Sequence, residues 1–179
     1  MTVVKLLIVI GIAGYSFNTR IIYMKYRDGF VSNSSSSSFI VIDLSGKYDD
    51  VPKIDGDTLV IGEVGETEFG WQEEQYNSFW SKLNFAYLQT YYMGPDTSHE
   101  CMSMLERVLC DKLKVKFIDI SHLCIHWSPN YIQDVYYGYI DHQSSASEGQ
   151  NTEMFENDTT LCDFLFNSDS YIQCDNDNH

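Results

Sequence analysis

Lysine and arginine vanish from this chain after Lys116. Residues 117–179 hold 11 Asp or Glu and no basic side chain, and so supply −11 of the net charge of −15. Capture of a phosphate backbone needs clustered Lys and Arg, so direct nucleic-acid binding is not expected. Cysteine is sparse and irregular: Cys101, Cys110, Cys124, Cys162 and Cys174 make an odd set with no Cys-x-x-Cys spacing. Neither a disulfide framework nor a zinc ribbon follows, and free thiols in a reducing cytoplasm are expected. The chain also lacks a glycine-rich phosphate loop, His-Glu-x-x-His, a dinucleotide fingerprint and a Gly-x-Ser-x-Gly elbow.

What remains is enough to fold. Hydrophobic residues make up 44% of the chain and aromatics 15%, including 13 Tyr, which excludes global disorder. At 179 residues the chain suits one domain with a substantial core. Phe39–Leu44 and Thr58–Glu63 read as strands, with turn chemistry at Ser45-Gly46 and Asp55-Gly56-Asp57 and a short third strand at Thr67–Trp71. Gln72–Met93 reads as a helix, because Tyr76, Phe79, Trp80, Leu83, Tyr87, Thr90 and Tyr91 recur at helical spacing. Glu73 and Glu74 would then sit in its first turn, and Gly94-Pro95 would end it.

Thr97-Ser-His-Glu100 is a capping-box pattern for a second helix to Leu113, with Met102, Leu105, Val108, Leu109 and Leu113 inward. Further strands are expected at Val115–Ile120, Val135–Asp141 and Ser170–Cys174, and Asp158 is the expected cap of a short helix through Phe166. Ser144–Thr152 reads as a polar loop. The expected fold is α+β: a small mixed or antiparallel sheet packed against an antiparallel helix pair.

Residues 24–41 are the most distinctive stretch: Met-Lys-Tyr-Arg-Asp-Gly-Phe-Val-Ser-Asn, five serines from Ser34 to Ser38, then Phe-Ile-Val. The stretch resembles the opening of uncharacterised small bacteriophage and prophage proteins, which begin Met-Lys-x-Arg-x-Gly-Phe-Val-Ser-Asn-Ser-Ser-Ser-Ser-Ser-Phe. In those proteins the motif is the N-terminus. The resemblance therefore implies a start at Met24, with residues 1–23 an untranslated leader. Two other readings of the apolar run Val3–Phe17 stay open alongside a buried strand. One is a signal peptide with Lys5 as its charged start; the other is a membrane anchor, although the run falls short of the roughly 20 apolar residues of a spanning helix. The expected organisation is thus 1–23 leader, 24–38 serine-rich lead-in, 39–174 α+β domain and 175–179 acidic tail.

Three clusters could carry chemistry. On a strand, His122, Cys124 and His126 would share one face, and imidazole and thiolate are zinc ligands. Asp141 and His142, followed by Ser144, are residue types used in acyl transfer, although adjacent strand residues point to opposite faces. Ser34, Ser35, Ser36, Ser37 and Ser38 follow one another, and successive backbone amides could cradle an anion. None of these is a complete catalytic motif. The expected function is that of a phage-type accessory protein acting in the host cytoplasm by binding a protein, such as a basic one, through an acidic surface. No cofactor is expected on that reading. The alternatives are a small metal-dependent hydrolase or modifying enzyme using His122, His126, Asp141 and His142, with zinc as the candidate ion, and a membrane-associated protein if residues 1–23 are retained.

Overall fold

The computed structural model describes residues 3–9, 19–25, 36–70, 73–124, 136–141 and 144–176. Its main sheet has five strands in the order β1 (Val3–Val9), β2 (Thr19–Lys25), β3 (Ser36–Asp43), β11 (Tyr171–Asn176) and β6 (Glu74–Tyr76), every neighbouring pair antiparallel. Three short parallel pairs complete the strands: β4 (Thr58–Val60) with β7 (Phe117–Asp119), β5 (Glu68–Phe69) with β10 (Tyr139–Ile140), and β8 (Leu123–Cys124) with β9 (Tyr136–Tyr137). Helices α1 (Phe79–Tyr92) and α2 (Pro95–Leu113) pack together across the link Met93-Gly94, and α3 (Asp158–Phe166) packs on both. The fold is α+β, as the sequence pattern implies. No described helix is long and apolar enough to cross a membrane.

Helix α1 is shorter than expected and buried on more than one side. It starts at Phe79 because the Ser78 side chain accepts from Ser81 N (3.3 Å), and Glu74 belongs to β6 instead of a first turn. Phe79, Leu83, Phe85, Ala86 and Leu88 are buried, but so are Lys82, Asn84, Gln89 and Thr90, while Tyr91 is 44% exposed. A single apolar stripe cannot describe such a helix. Its polar side chains reach backbone groups on surrounding segments, and their burial depends on those partners.

Phe69 sits edge-on to Phe85 (5.0 Å between ring centroids) and to Tyr76 (5.6 Å), and Phe79 stacks on Phe166 (5.3 Å). These rings, with Ile42, Leu59, Ile61, Leu83 and Leu105, form the core. Each fully buried large apolar side chain contributes roughly 1.5–3 kcal/mol before chain entropy is counted.

The other helix starts also differ by a turn or less. Pro95 opens α2 with Gly94 as its N-cap, and Ser98 N donates to Gly94 O (2.8 Å), so Thr97–Glu100 lies inside the helix. Cys101, Leu105, Val108 and Leu109 face inward, with Met102 and Leu113 partly buried. Asn157, not Asp158, caps α3 by accepting from Thr160 N (3.0 Å).

Val3–Val9 is a strand, one of the readings left open for that run, and its partner, Thr19–Lys25, gave no separate signal. The serine run does not end in a loose lead-in: Ser36, Ser37 and Ser38 pair with Asn176, Asp175 and Cys174, and Ser38 is buried. Asp175 and Asn176 accordingly belong to β11 and not to a tail. Ser144–Thr152 is a polar, irregular segment with a 3-10 turn at Ala146–Glu148, and Ser144, Ser145 and Asn151 in it are buried. Serine backbone groups pair as well as any other, and a hydrophobicity pattern does not register them.

Candidate functional site

The sequence candidates fall in three places. Ser34, Ser35, His126 and His142 lie outside the described residues. Cys124 pairs with Tyr137 in the β8–β9 ladder, and His122 is half-buried with Nε2 4.0 Å from Asp119 Oδ2. Among the described residues, no three His, Cys, Asp or Glu side chains gather closely enough to hold a metal ion.

Asp141, Ser38 and Ser144 do come together. Asp141 N donates to Phe69 O (2.9 Å), and Asp141 O accepts from Ser144 N (2.9 Å). Gly70, at φ +121°, makes room: a Cβ there would lie 2.5 Å from Asp141 Cβ. Ser144 Oγ accepts from Ser38 N (2.5 Å), and Ser38 Oγ lies 3.3 Å from Cys174 Sγ. Asn151 Nδ2 donates to Ser38 O and Ser144 O (2.9 Å each), and its Oδ1 accepts from Ile40 N (3.2 Å). Gln89 Nε2 donates to Ser144 O (2.9 Å) and its Oε1 accepts from Ala146 N (2.6 Å). Burial pushes the Cys174 thiol pKa up, which keeps it protonated. This knot satisfies the backbone of β3 at Ser38 and Ile40, beyond its pairing with β2, and its side chains are buried and mutually bonded.

A second arrangement is open to solvent. No lysine or arginine lies between Lys53 and Lys82 in the sequence, whereas Glu63, Glu66, Glu68, Glu73 and Glu74 all fall there. The segment carrying the first of them crosses the start of α1 at close range. A Cβ on Gly65 (φ +86°) would sit 2.7 Å from Ser81 N, so only glycine fits. Buried Asn84 holds the segment with three bonds: Oδ1 accepts from Gly62 N (3.0 Å), and Nδ2 donates to Val64 O and Glu66 O (2.9 Å each). Ser81 Oγ accepts from Glu66 N (3.0 Å). Glu66 Oε1 in turn accepts from Thr67 N (2.9 Å) and Glu68 N (3.0 Å).

Glu63, Glu68, Glu73 and Glu74 are exposed and Glu66 is half-buried. None of the five pairs with a cation among the described residues. Tyr76 Oη donates to Glu74 Oε2 (3.0 Å). Burial first, then that bond and the fields of Glu66 and Glu74, hold the Tyr76 pKa above its ordinary value. Sequence reasoning placed the acidic weight after residue 117; of the described carboxylates there, Asp141 and Asp163 are buried and Glu156, Asp158, Asp169 and Asp175 are exposed. The missed signal was the glutamate spacing together with Gly62 and Gly65.

Elsewhere the charged groups are already committed. Lys82 is 0% exposed, and its Nζ donates to Asn167 O (2.8 Å) and stands 3.7 Å from Asp50 Oδ2. Burial pushes its pKa down to about 8, against the opposing pull of Asp50. A groove of about 330 Å³ between α2 and α3 is lined in part by Tyr48, Arg107, Lys112 and Cys162. There Arg107 is bidentate to Asp158 (3.0 and 2.6 Å), and Lys112 Nζ lies 4.5 Å from the centre of the Tyr48 ring. Compared with protein-family models, curated proteins and solved structures, the chain matches none.

Proposed function

We propose that this is a phage-type accessory protein that works without catalysis, binding a basic host or phage protein in the host cytoplasm. The phage-type leader motif and the net charge of −15 support the class. The observation that carries the reading is the run of glutamates at 63–74, uncompensated among the described residues, with the backbone at Gly62, Val64 and Glu66 pinned by Asn84 and Ser81. A fixed array of like charge costs little ordering entropy on association and raises the encounter rate with an oppositely charged partner. Its screening by salt supplies the test.

Tagged full-length protein is used to capture partners from a bacterial extract, beside the variant Glu63→Gln/Glu68→Gln/Glu73→Gln. The expected result is one specific protein held at low salt, released by about 0.5 M salt and lost with the variant. A captured protein indifferent to both salt and the variant, or no specific protein at all, contradicts the reading.

A further inference from the structure

The two sides of the β3–β11–β6 part of the sheet are finished differently; β3 pairs with β2 only at Ile42 and Asp43 and carries the side-chain knot at Ser38 and Ile40. On β3, the N–H groups of Ser38 and Ile40 go to Ser144 Oγ and Asn151 Oδ1, and Ser38 O accepts from Asn151 Nδ2. These groups face away from β11. Because main-chain groups alternate along a strand, Phe39 and Val41 are the β3 residues that face β11, opposite Gln173 and Tyr171. On β11 the same alternation turns Ile172 and Cys174 toward β6, where they meet Tyr76 and Glu74. The N–H and C=O of Gln75 therefore point out of the sheet. Gln75 is exposed, and no described strand lies beyond it. The β3 side is closed by β2 and the buried side-chain knot; among the described residues the β6 side keeps an open donor and acceptor at Gln75, between Glu74 and the exposed Asn77.

We propose that the β6 edge receives an extended Lys/Arg-rich segment of the partner as an added strand, with Gln75 supplying the main-chain pair and Glu73, Glu74 and Glu68 the charge. This rests on the acidic-surface reading above. An edge three residues long has few main-chain bonds to offer, each of modest net value, so the glutamates select what docks there. A nucleic acid carries the wrong sign. A second copy of the chain would bring two sets of the same glutamates into one narrow interface, which is unfavourable.

The test uses the full chain and an alternating lysine–valine peptide roughly eight residues long. A control peptide has the same sequence and charge with every backbone nitrogen methylated, so it cannot form a ladder. Gln75→Pro is the matching change in the protein: it removes the outward N–H and leaves the groups bonded to β11 and the net charge untouched. The expected result is that wild-type protein binds the unmethylated peptide roughly tenfold more tightly than the methylated one. Gln75→Pro should weaken the unmethylated peptide roughly fivefold and leave the methylated one unchanged.

Equal affinity for both peptides, still lost in Glu63→Gln/Glu68→Gln/Glu73→Gln, overturns strand addition and leaves the acidic reading standing. Binding of neither peptide at low salt overturns both. A dimer of the protein alone that Gln75→Pro dissociates overturns the choice of a basic occupant. If Gln75→Pro fails to fold by circular dichroism, the peptide pair decides the matter by itself.

Discussion

Raising the pH above 8 should stabilise this protein through Lys82, and Lys82→Met should remove that gain. Two effects compete at the ammonium group. At 3.7 Å, and with an effective dielectric constant of about 20, attraction to Asp50 is worth roughly 4 kcal/mol. Loss of hydration for a wholly buried charge costs several kcal/mol, and one carbonyl at 2.8 Å does not replace a water shell. The Asp50 oxygen that faces Lys82 is itself buried, and this single carboxylate at 3.7 Å offsets the burial cost only in part, so burial wins.

The native pKa is accordingly about 8 against 10.5 in the unfolded chain. Below pH 8 both states hold the proton, and the cost of the buried charge is fully present. Between the two values the native state releases its proton while the unfolded state keeps it, so stability rises with pH. The interval of roughly 2.5 pH units, at about 1.4 kcal/mol each, gives about 3–4 kcal/mol. Urea unfolding at steps from pH 7 to 10.5, in wild type and Lys82→Met, reads it out as the difference between the two curves. The tyrosines are common to both proteins and largely cancel. Asp50→Asn should extend the window to lower pH by removing the opposing attraction. Parallel curves, or a wild type that loses ground to Lys82→Met as the pH rises, would refute the reasoning. The second result would mean that the ion pair outweighs burial.

Asn84→Ala removes three hydrogen bonds and should cost about 2–4 kcal/mol in urea unfolding, with faster amide exchange at Gly62; a loss below about 0.5 kcal/mol would contradict the anchoring. Gly65→Ala forces a side chain onto Ser81 and into a left-handed backbone, and should cost about 1–3 kcal/mol; an unchanged melting temperature counts against that close approach. Asn151→Ala opens the knot on β3 and should cost about 2–3 kcal/mol by the same denaturation assay, whereas a surface-like change of a few tenths would show that the knot does not hold the strand. Among Cys101, Cys110, Cys162 and Cys174, the half-buried Cys110 should be alkylated first in the native state and wholly buried Cys174 only on unfolding; early labelling of Cys174 would contradict its burial.

The fold class was legible because apolar spacing in α2 and β3 reports burial directly, although Phe117 of β7 is exposed. Segments held by backbone pairing or polar burial were not. Ser36–Ser38 form a strand through partners more than a hundred residues away, and nothing in a serine run announces that register. The α1 face was misread because Lys82, Asn84 and Gln89 are buried by virtue of carbonyls and amides elsewhere in the fold. The candidate chemistry suffered likewise. Asp141 and Ser144 do adjoin, but through main-chain bonds that join β10 to the knot. Glu63 and Glu68 drew no reading, because the Asn84 bonds that fix the backbone between them join segments distant in the sequence.

The most direct measurement is the affinity of the lysine–valine peptide for wild type and for Glu63→Gln/Glu68→Gln/Glu73→Gln across a salt series. Wild type should bind at low ionic strength, lose most of its affinity by about 0.5 M salt, and exceed the variant by roughly tenfold or more at the low-salt end. Equal affinities for the two proteins, or binding unmoved by salt, would contradict the claim that this anchored glutamate surface is what the protein binds with.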